Sequence, residues 1–152
     1  MPCPITVLKF VGTTSLGLFT GVSYSLSTLS MPALLLLPSA PQAQHAFTSL
    51  VKSSTLHLRT LAAVSAVSFP LAFAMSTPRI RHPYLLWTGA AALLSLVPDF
   101  VIGQTAFKEQ QDANGETVER AVRTSQKLHA VQAAIGFAGF AMAVVGIWGD
   151  GA

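Results

Sequence analysis

Four long apolar blocks dominate this sequence and limit what it can fold into. They cover about residues 5–29, 57–75, 84–107 and 128–148. Each block supplies the roughly 20 helical residues that cross the hydrocarbon of a bilayer, whereas a transmembrane β-barrel would need many short alternating segments. We therefore predict an all-α fold, a four-helix transmembrane bundle with short loops and both termini on the same side. Residues 1–152 would form a single integral membrane domain.

The composition agrees with a membrane protein. Only 10% of the residues are charged and 51% are hydrophobic, while a soluble domain carries roughly a quarter charged residues. The formal net charge of +3 is too small to indicate nucleic-acid binding. The lipid bilayer is therefore the first partner that we predict. The single cysteine, Cys3, excludes an intramolecular disulfide, and no spacing of residues predicts a metal or another cofactor.

The segments between the apolar blocks differ in character. Pro32, Pro38 and Pro41 interrupt the segment after the first block, so we expect the first helix to end there. Residues 42–55 predict a short surface helix. Residues 108–127 form the predicted hydrophilic loop, whose second half favours a polar helix leading into the fourth span because acids precede bases by four positions. The two acid–base pairs are Glu116 with Arg120 and Glu119 with Arg123.

The basic residues predict the orientation in the membrane. The first and third loops, with their span edges, carry more of them than the opposite side, which places these two loops in the cytosol. The basic residues on the loop side are Lys52, Arg59, Lys108, Arg120, Arg123 and Lys127, and those on the opposite side are Lys9, Arg79 and Arg81. Tyr84, Trp87 and Trp148 fall on the side of the termini, where an aromatic belt is expected.

The start of the chain does not have the features of a cleaved targeting segment. A mitochondrial presequence is Arg-rich and amphipathic, and a secretory signal has a basic start and a small-residue cleavage site. Before Lys52 the only basic residue is Lys9, which lies inside the first apolar block. We therefore expect the first block to be a retained span.

Glycines at helical spacing predict close helix packing in two of the spans. Small residues let helix backbones approach each other where lipid provides no hydrophobic force for association. The predicted packing glycines are Gly17 and Gly21 in the first span and Gly136, Gly139 and Gly146 in the fourth. The alternative for the face that carries Gly17 and Gly21 is contact with a second copy of the chain in a homo-oligomer.

Asp99 is the most informative polar residue because it lies well inside the third apolar block. A carboxylate at mid-membrane costs roughly 2.5–3.5 kcal/mol by insertion scales, and such a group is usually paired or functional. The predicted topology places Arg59, His57 and His129 towards the same leaflet. We predict an Arg59–Asp99 ion pair that fixes the bundle; the alternative is a proton-handling or substrate site that includes the two histidines.

The first loop contains a short pattern of interest, Phe47-Thr48-Ser49-Leu50. An aromatic residue followed three positions later by an aliphatic one fits the loose pattern by which autophagy receptors add a strand to a partner. A helix on the membrane surface explains the same residues, and both interpretations stay open at this point.

Three stretches resemble a known family. They are "SLGLFTGVSYSLSTLS" (residues 15–30), "IRHPYLL" (80–86) and "GFAGFAMAVVGIWGDG" (136–151). The second is the most specific and contains a hinge between spans two and three, formed by Arg81, His82, Pro83 and Tyr84. With these stretches the chain resembles a small family of fungal mitochondrial outer-membrane proteins, the autophagy-related protein 33 type.

This resemblance implies a function. Members of the family promote selective mitophagy, so it implies a non-enzymatic multi-span protein of the mitochondrial outer membrane that acts in mitochondrial quality control. The partners that it implies are the autophagy machinery or other outer-membrane proteins. The better-known family member has a much longer hydrophilic stretch between spans three and four.

A second resemblance implies an enzyme instead. The stretches "SLSTLSMPALL", "LVPDF" and "KLHAVQAAIGF" follow one another in an order that is similar to four-span proteins that include the fungal anthrone oxygenases. These are thought to oxidise a hydrophobic phenolic substrate with oxygen and without a bound metal. Under this alternative, Asp99, His57 and His129 are the candidate catalytic residues. Our leading hypothesis remains the non-enzymatic protein.

Overall fold

The computed structural model describes residues 4–77, 82–109 and 114–149, and this part of the chain contains helices and no strand. The predicted all-α fold is confirmed. The helices are α1 (Pro4–Ser25), α2 (Met31–Leu34), α3 (Ala40–Met75), α4 (Tyr84–Leu94), α5 (Val97–Glu109) and α6 (Gly115–Gly149), and a π-helical segment (Leu26–Ser30) joins α1 to α2.

Four helical segments are long and apolar enough to cross a membrane, as predicted. They cover Pro4–Leu34, Ala40–Met75, Tyr84–Gly103 and Gly115–Gly149. Consecutive segments run in opposite directions, and α1 and α4 each pack against both α3 and α6. The first and last described residues, Pro4 and Gly149, therefore lie at the same end of the bundle.

The main core fills the centre of this bundle. Its largest fully buried side chains include Phe19 of α1 and Phe69 of α3, and Leu85 of α4 and Ala143 of α6 close it from the other side. Large apolar side chains also cover the outside of the same part of the bundle, where a soluble protein would be polar. Those exposed most include Phe10, Leu18, Val67, Trp87, Phe100, Phe137, Val145 and Trp148.

A second, smaller core lies at the end of the bundle away from the termini. We call this end the head and define it as residues 30–55 with 114–127. Its core brings Phe47 and Val51 of α3 against Val118 and Val122 of α6, and Ile102 of α5 supports it from below. The outer faces of α3 and α6 in the head are polar, and exposed large apolar side chains begin only at Leu56 on α3 and at Val131 on α6.

The head corrects two predictions about the loops. Residues 42–55 do not form a separate helix on the membrane surface, because they are the first half of the continuous α3 and bury Phe47 against α6. Residues 108–127 are not a loop throughout, since α6 begins at Gly115. The predicted polar helix that leads into span four is confirmed, and it forms half of the head.

The first helical segment also continues further than predicted. Pro32 does not end it, and the helical path reaches Leu34. The π-helical segment widens the turn just before Pro32, and Pro32 then lies in the first turn of α2, where a missing N–H is tolerated.

The third span is broken into α4 and α5 at Ser95 and Leu96, where a single helix was predicted. Pro98 accounts for the break, because it has no N–H to donate and its ring would clash with the carbonyl four residues earlier in an α-helix. The Ser95 hydroxyl donates to the Ala92 carbonyl at 2.7 Å, and the Asp99 N–H donates to the Leu96 carbonyl at 3.1 Å. These bonds satisfy part of the backbone at the break and place Asp99 in the first turn of α5.

Close packing at glycines joins α6 to its neighbours. A Cβ on Gly136 would lie 2.7 Å from Thr20 Oγ1, and one on Gly146 would lie 2.5 Å from the Tyr84 ring. Gly17 meets the Phe140 ring in the same way, at 2.9 Å. Gly21 differs, because it is exposed and a Cβ there would meet nothing within 4 Å. The prediction that Gly21 packs inside the bundle is therefore wrong, while its contact with a second copy stays a prediction.

Replacing Gly139 with alanine is expected to lower the free energy of unfolding by roughly 1–3 kcal/mol, as overpacking generally does. The added Cβ would lie 3.0 Å from Ala91 Cβ and 3.1 Å from Leu16 Cδ2. Unfolding in detergent micelles, followed by circular dichroism, gives the measurement. Gly21→Ala is the matched control, and equal losses in the two variants would contradict the packing.

Candidate functional site

A half-buried ion pair lies just below the head. Arg59 Nε donates to Asp99 Oδ2 at 2.6 Å and joins α3 to α5. The Asp99 side chain is 1% exposed and that of Arg59 is 47% exposed. The Arg59 guanidinium carbon also lies 5.1 Å from the centroid of the Phe100 ring, a distance at which a cation and an aromatic face attract each other. The structure thus brings together the two residues that sequence analysis paired.

A second chain of hydrogen bonds joins α6 to the break between α4 and α5. His129 Nδ1 and Gln132 Oε1 are 2.7 Å apart, and Gln132 Nε2 donates to the Ser95 carbonyl at 3.2 Å. His129 and Gln132 are both fully buried. Asp99 and His129 are close enough to interact electrostatically. Ser125 is fully buried four residues before His129, on the same face of α6. We call Arg59, Ser95, Asp99, Ser125, His129 and Gln132 the polar cluster.

His57 does not belong to the polar cluster. It is exposed on α3, where its Nδ1 lies 2.7 Å from the Ser53 carbonyl oxygen. It precedes Arg59 by two residues, which places the two side chains about 200° apart around the helix. The catalytic trio of the enzyme alternative, Asp99 with His57 and His129, is therefore not assembled at one point. Within the described residues, no three His, Cys, Asp or Glu side chains are grouped to hold a metal ion.

The predicted hinge is only partly described. Arg81 lies outside the described residues, while His82 and Pro83 are exposed immediately before α4. The His82 and Tyr84 rings lie 6.1 Å apart, and the Tyr84 ring packs on Gly146. Lys9 Nζ lies 5.7 Å from the centre of the Tyr84 ring. Tyr84 thus joins α1, α4 and α6 at the end of the bundle that carries the termini.

The Phe47-Thr48-Ser49-Leu50 pattern is not available as an added strand. All four residues lie within α3, and Phe47 is 2% exposed in the core of the head. Pairing as a strand would require the helix to unwind and the core to open. The proposed strand-type receptor motif is therefore wrong for this fold.

Gln132 was not among the predicted site residues. Its amide links His129 to the Ser95 carbonyl. The available signal was two polar residues three positions apart in an otherwise apolar block, which places both on one helix face.

Comparison with known proteins now adds the family. The family model described as Autophagy-related protein 33 matches residues 1–127. The chain belongs to the autophagy-related protein 33 family. A relative named Autophagy-related protein 33 from Gibberella zeae is 37% identical over 183 aligned positions, which cover 97% of this chain and 92% of the relative. The alignment is longer than the 152 residues of the chain, so the relative contains residues that this family member lacks. No solved structure matches the chain.

Removal of Arg59 is expected to destabilise the protein, because it leaves the Asp99 carboxylate buried without its cation. We expect Arg59→Leu to lower the free energy of unfolding by roughly 1–3 kcal/mol, which is less than for a fully buried pair because Arg59 is half exposed. Adding Asp99→Asn should recover much of this loss. Unfolding in micelles measures all variants; strictly additive losses in the double variant would contradict the pairing. Arg123→Leu, which breaks an exposed pair, is the control and should cost less than about 0.5 kcal/mol.

Proposed function

We propose that this chain is a non-enzymatic, four-span protein of the mitochondrial outer membrane that acts in selective mitophagy and presents its head to the cytosol. Membership of the autophagy-related protein 33 family is the observation that carries the proposal. Four apolar helices of spanning length support the membrane location. The unassembled catalytic trio supports a role without catalysis.

The distribution of side chains supports a specific position in the bilayer. Lys9, Tyr84 and the exposed Trp148 mark one interface, where amphipathic side chains are favoured. Leu29, on the helical path from α1, and Leu56, on α3, are the last exposed large apolar residues before the head. Lys9 and Leu29 are about 20 residues apart, which is roughly 30 Å of helix and matches the hydrocarbon thickness. The head would then extend roughly 20 Å beyond that boundary, since α3 begins at Ala40.

The charges of the head support its cytosolic orientation. Lys52 and Lys127 are exposed at its base, and Arg120 and Arg123 are exposed on α6. The two arginines pair with acids of the same helix, at 3.0 Å from Glu116 and 2.8 Å from Glu119. Basic residues beside spans favour the cytosolic side.

The turn between α2 and α3 is the surface of the head that best fits a protein partner. Leu36 is 85% exposed and Leu37 is partly exposed, beyond the apolar band that the bilayer would cover. Beside them lies a groove of about 280 Å³, lined mainly by apolar side chains and bordered by the Glu119–Arg123 pair. Exposed apolar residues with a polar rim are typical of interaction sites. We propose that the autophagy machinery binds the head here.

The test of this function uses cells that lack the protein and carry a mitochondrial reporter that is delivered to the vacuole. The full chain should restore delivery, whereas Leu36→Ser with Leu37→Ser should not, because the apolar contact with the partner is lost. The double variant must remain at the mitochondrial surface by fractionation. Glu116→Ala with Arg120→Ala is the control in the same head and should restore delivery. Full delivery with the leucine variant would contradict the binding surface, and unchanged delivery in cells without the protein would contradict the mitophagy function.

We also propose that two copies meet through the face of α1 that carries Gly21. This face and the neighbouring part of α6 form an open groove. Small residues line most of it, among them Thr20, Gly21, Ala130 and Ala134, and the remaining lining residues are Tyr24, Phe137 and Phe140. Such surfaces let a further helix approach closely in a membrane.

A disulfide crosslink tests this contact. With Cys3→Ser as the background, Gly21→Cys should form a covalent dimer on mild oxidation in intact membranes, because the two α1 helices would lie close together. Leu56→Cys is the control, since Leu56 is exposed on α3, outside the proposed contact, and should not crosslink. Efficient oxidation that leaves only monomeric Gly21→Cys would contradict the dimer.

A further inference from the structure

Several buried polar atoms do not find a partner within the bundle. Among the described residues these atoms are Ser23 Oγ, Asp99 Oδ1, Ser125 Oγ and His129 Nε2. Three of the four belong to the polar cluster. A buried polar atom without a hydrogen bond costs several kcal/mol in an apolar environment, so these three need a common explanation.

The hydroxyl of Ser125 lacks a hydrogen bond that many hydroxyls of this chain make. These hydroxyls donate to a carbonyl of their own helix three or four residues earlier, which is how a hydroxyl is commonly satisfied in an apolar environment. Examples are Thr13, Thr20, Thr28, Ser54, Thr60, Ser65, Ser76, Thr88 and Ser95. Ser125 is fully buried and makes no such bond. It lies four residues before His129, so both side chains are on the same face of α6.

The hydrogen bonds of Gln132 determine which nitrogen of His129 carries a proton. The amide nitrogen of Gln132 donates to the Ser95 carbonyl, so its Oε1 faces His129 and can only accept. His129 Nδ1 must therefore carry the proton that it donates to Gln132. A charged ring would be costly in this buried position, and the neutral ring leaves Nε2 as an acceptor.

The polar cluster then presents two acceptors and one hydroxyl without partners. The acceptors are His129 Nε2 and Asp99 Oδ1, since Oδ2 of the same carboxylate is already bound to Arg59. Two acceptors cannot satisfy each other, and one serine hydroxyl can donate to only one of them. A water molecule has two protons to donate and can accept a third bond, which fits these groups.

We infer that the polar cluster contains a water-binding site between Asp99, His129 and Ser125. The water donates one proton to Asp99 Oδ1 and the other to His129 Nε2, and it accepts the proton of the Ser125 hydroxyl. The three residues belong to α5 and α6, and Arg59 extends the network to α3. The site lies at the base of the head, to which Ser125 belongs. Buried waters with about three hydrogen bonds are a regular part of folded proteins.

Solid-state nitrogen NMR of the full-length protein in deuterated lipid bilayers tests this site. The probe is water itself, and the protein carries ¹⁵N only in its histidines. His129→Gln identifies the His129 signals among those of His45, His57 and His82. We expect a neutral ring with Nδ1 protonated and with magnetisation transfer from water protons to Nε2. A charged ring, a proton on Nε2, or the absence of transfer in the unmodified protein would overturn the inference.

Two variants and one control sharpen the test. Ser125→Ala removes one bond to the water and should weaken or abolish the transfer. Asp99→Asn should weaken it, because the amide oxygen then faces Arg59 and the NH2 group points at the water, which loses one of its two acceptors. Ser95→Ala is the control, since the Ser95 hydroxyl is satisfied within its own helix and its carbonyl is retained. Unchanged transfer in both Ser125→Ala and Asp99→Asn would overturn the three-point site. The result does not depend on the proposed role in mitophagy.

Discussion

A bilayer offers no hydrogen-bonding partner to a polar group, and this constraint determines how the side chains of the bundle are arranged. Many threonines and serines satisfy this constraint locally, by donating to a carbonyl of their own helix. Asp99 and His129 cannot do so, and their bonds therefore cross between helices. The Arg59–Asp99 pair joins α3 to α5, and the His129–Gln132–Ser95 chain joins α6 to the end of α4. The polar cluster thus fixes the relative positions of four helices in one layer.

The apolar part of the bundle and the head are stabilised by different forces. In the apolar part of the bundle, burial of side chains provides little advantage over contact with lipid. Helix association there depends on how closely the helix surfaces fit, as where Gly139 meets Leu16 and Ala91. In the head the outer faces are polar, and burial of Phe47 and Val122 away from water provides the stabilisation. The polar cluster lies at the junction of these two regions. Its position connects the packing of the spans to the packing of the head.

The head gives this chain a folded surface at the end of the bundle away from the termini. A relative from Gibberella zeae contains residues that are missing here. The residues of the head are not simply linkers. They extend two of the spanning helices and pack them against each other, which leaves Leu36 and Leu37 at an exposed turn. A rigid surface of this kind loses little conformational entropy when a partner binds.

The sequence was most informative where the chemistry of a residue type in lipid allows only one structural arrangement. Long apolar blocks predicted the four helices, and a carboxylate in such a block predicted a basic partner, for which the leaflet argument selected Arg59. The helical spacing of Ala43, Phe47 and Val51 was equally compatible with a membrane surface and with another helix, because the same apolar face suits both. Gly17 and Gly21 share one motif but have different surroundings, and the motif does not say what lies opposite each of them.

The sequence by itself therefore determined the number of segments of spanning length, their apolar character and the need of Asp99 for a partner, since these follow from the chemistry of single residues in water or lipid. Only the tertiary structure decided which surfaces meet: α3 with α6 in the head, Gln132 with Ser95, and Gly21 with no other part of the bundle. The reason is that helical periodicity shows which residues share a face, whereas the identity of the facing element depends on contacts between distant parts of the chain.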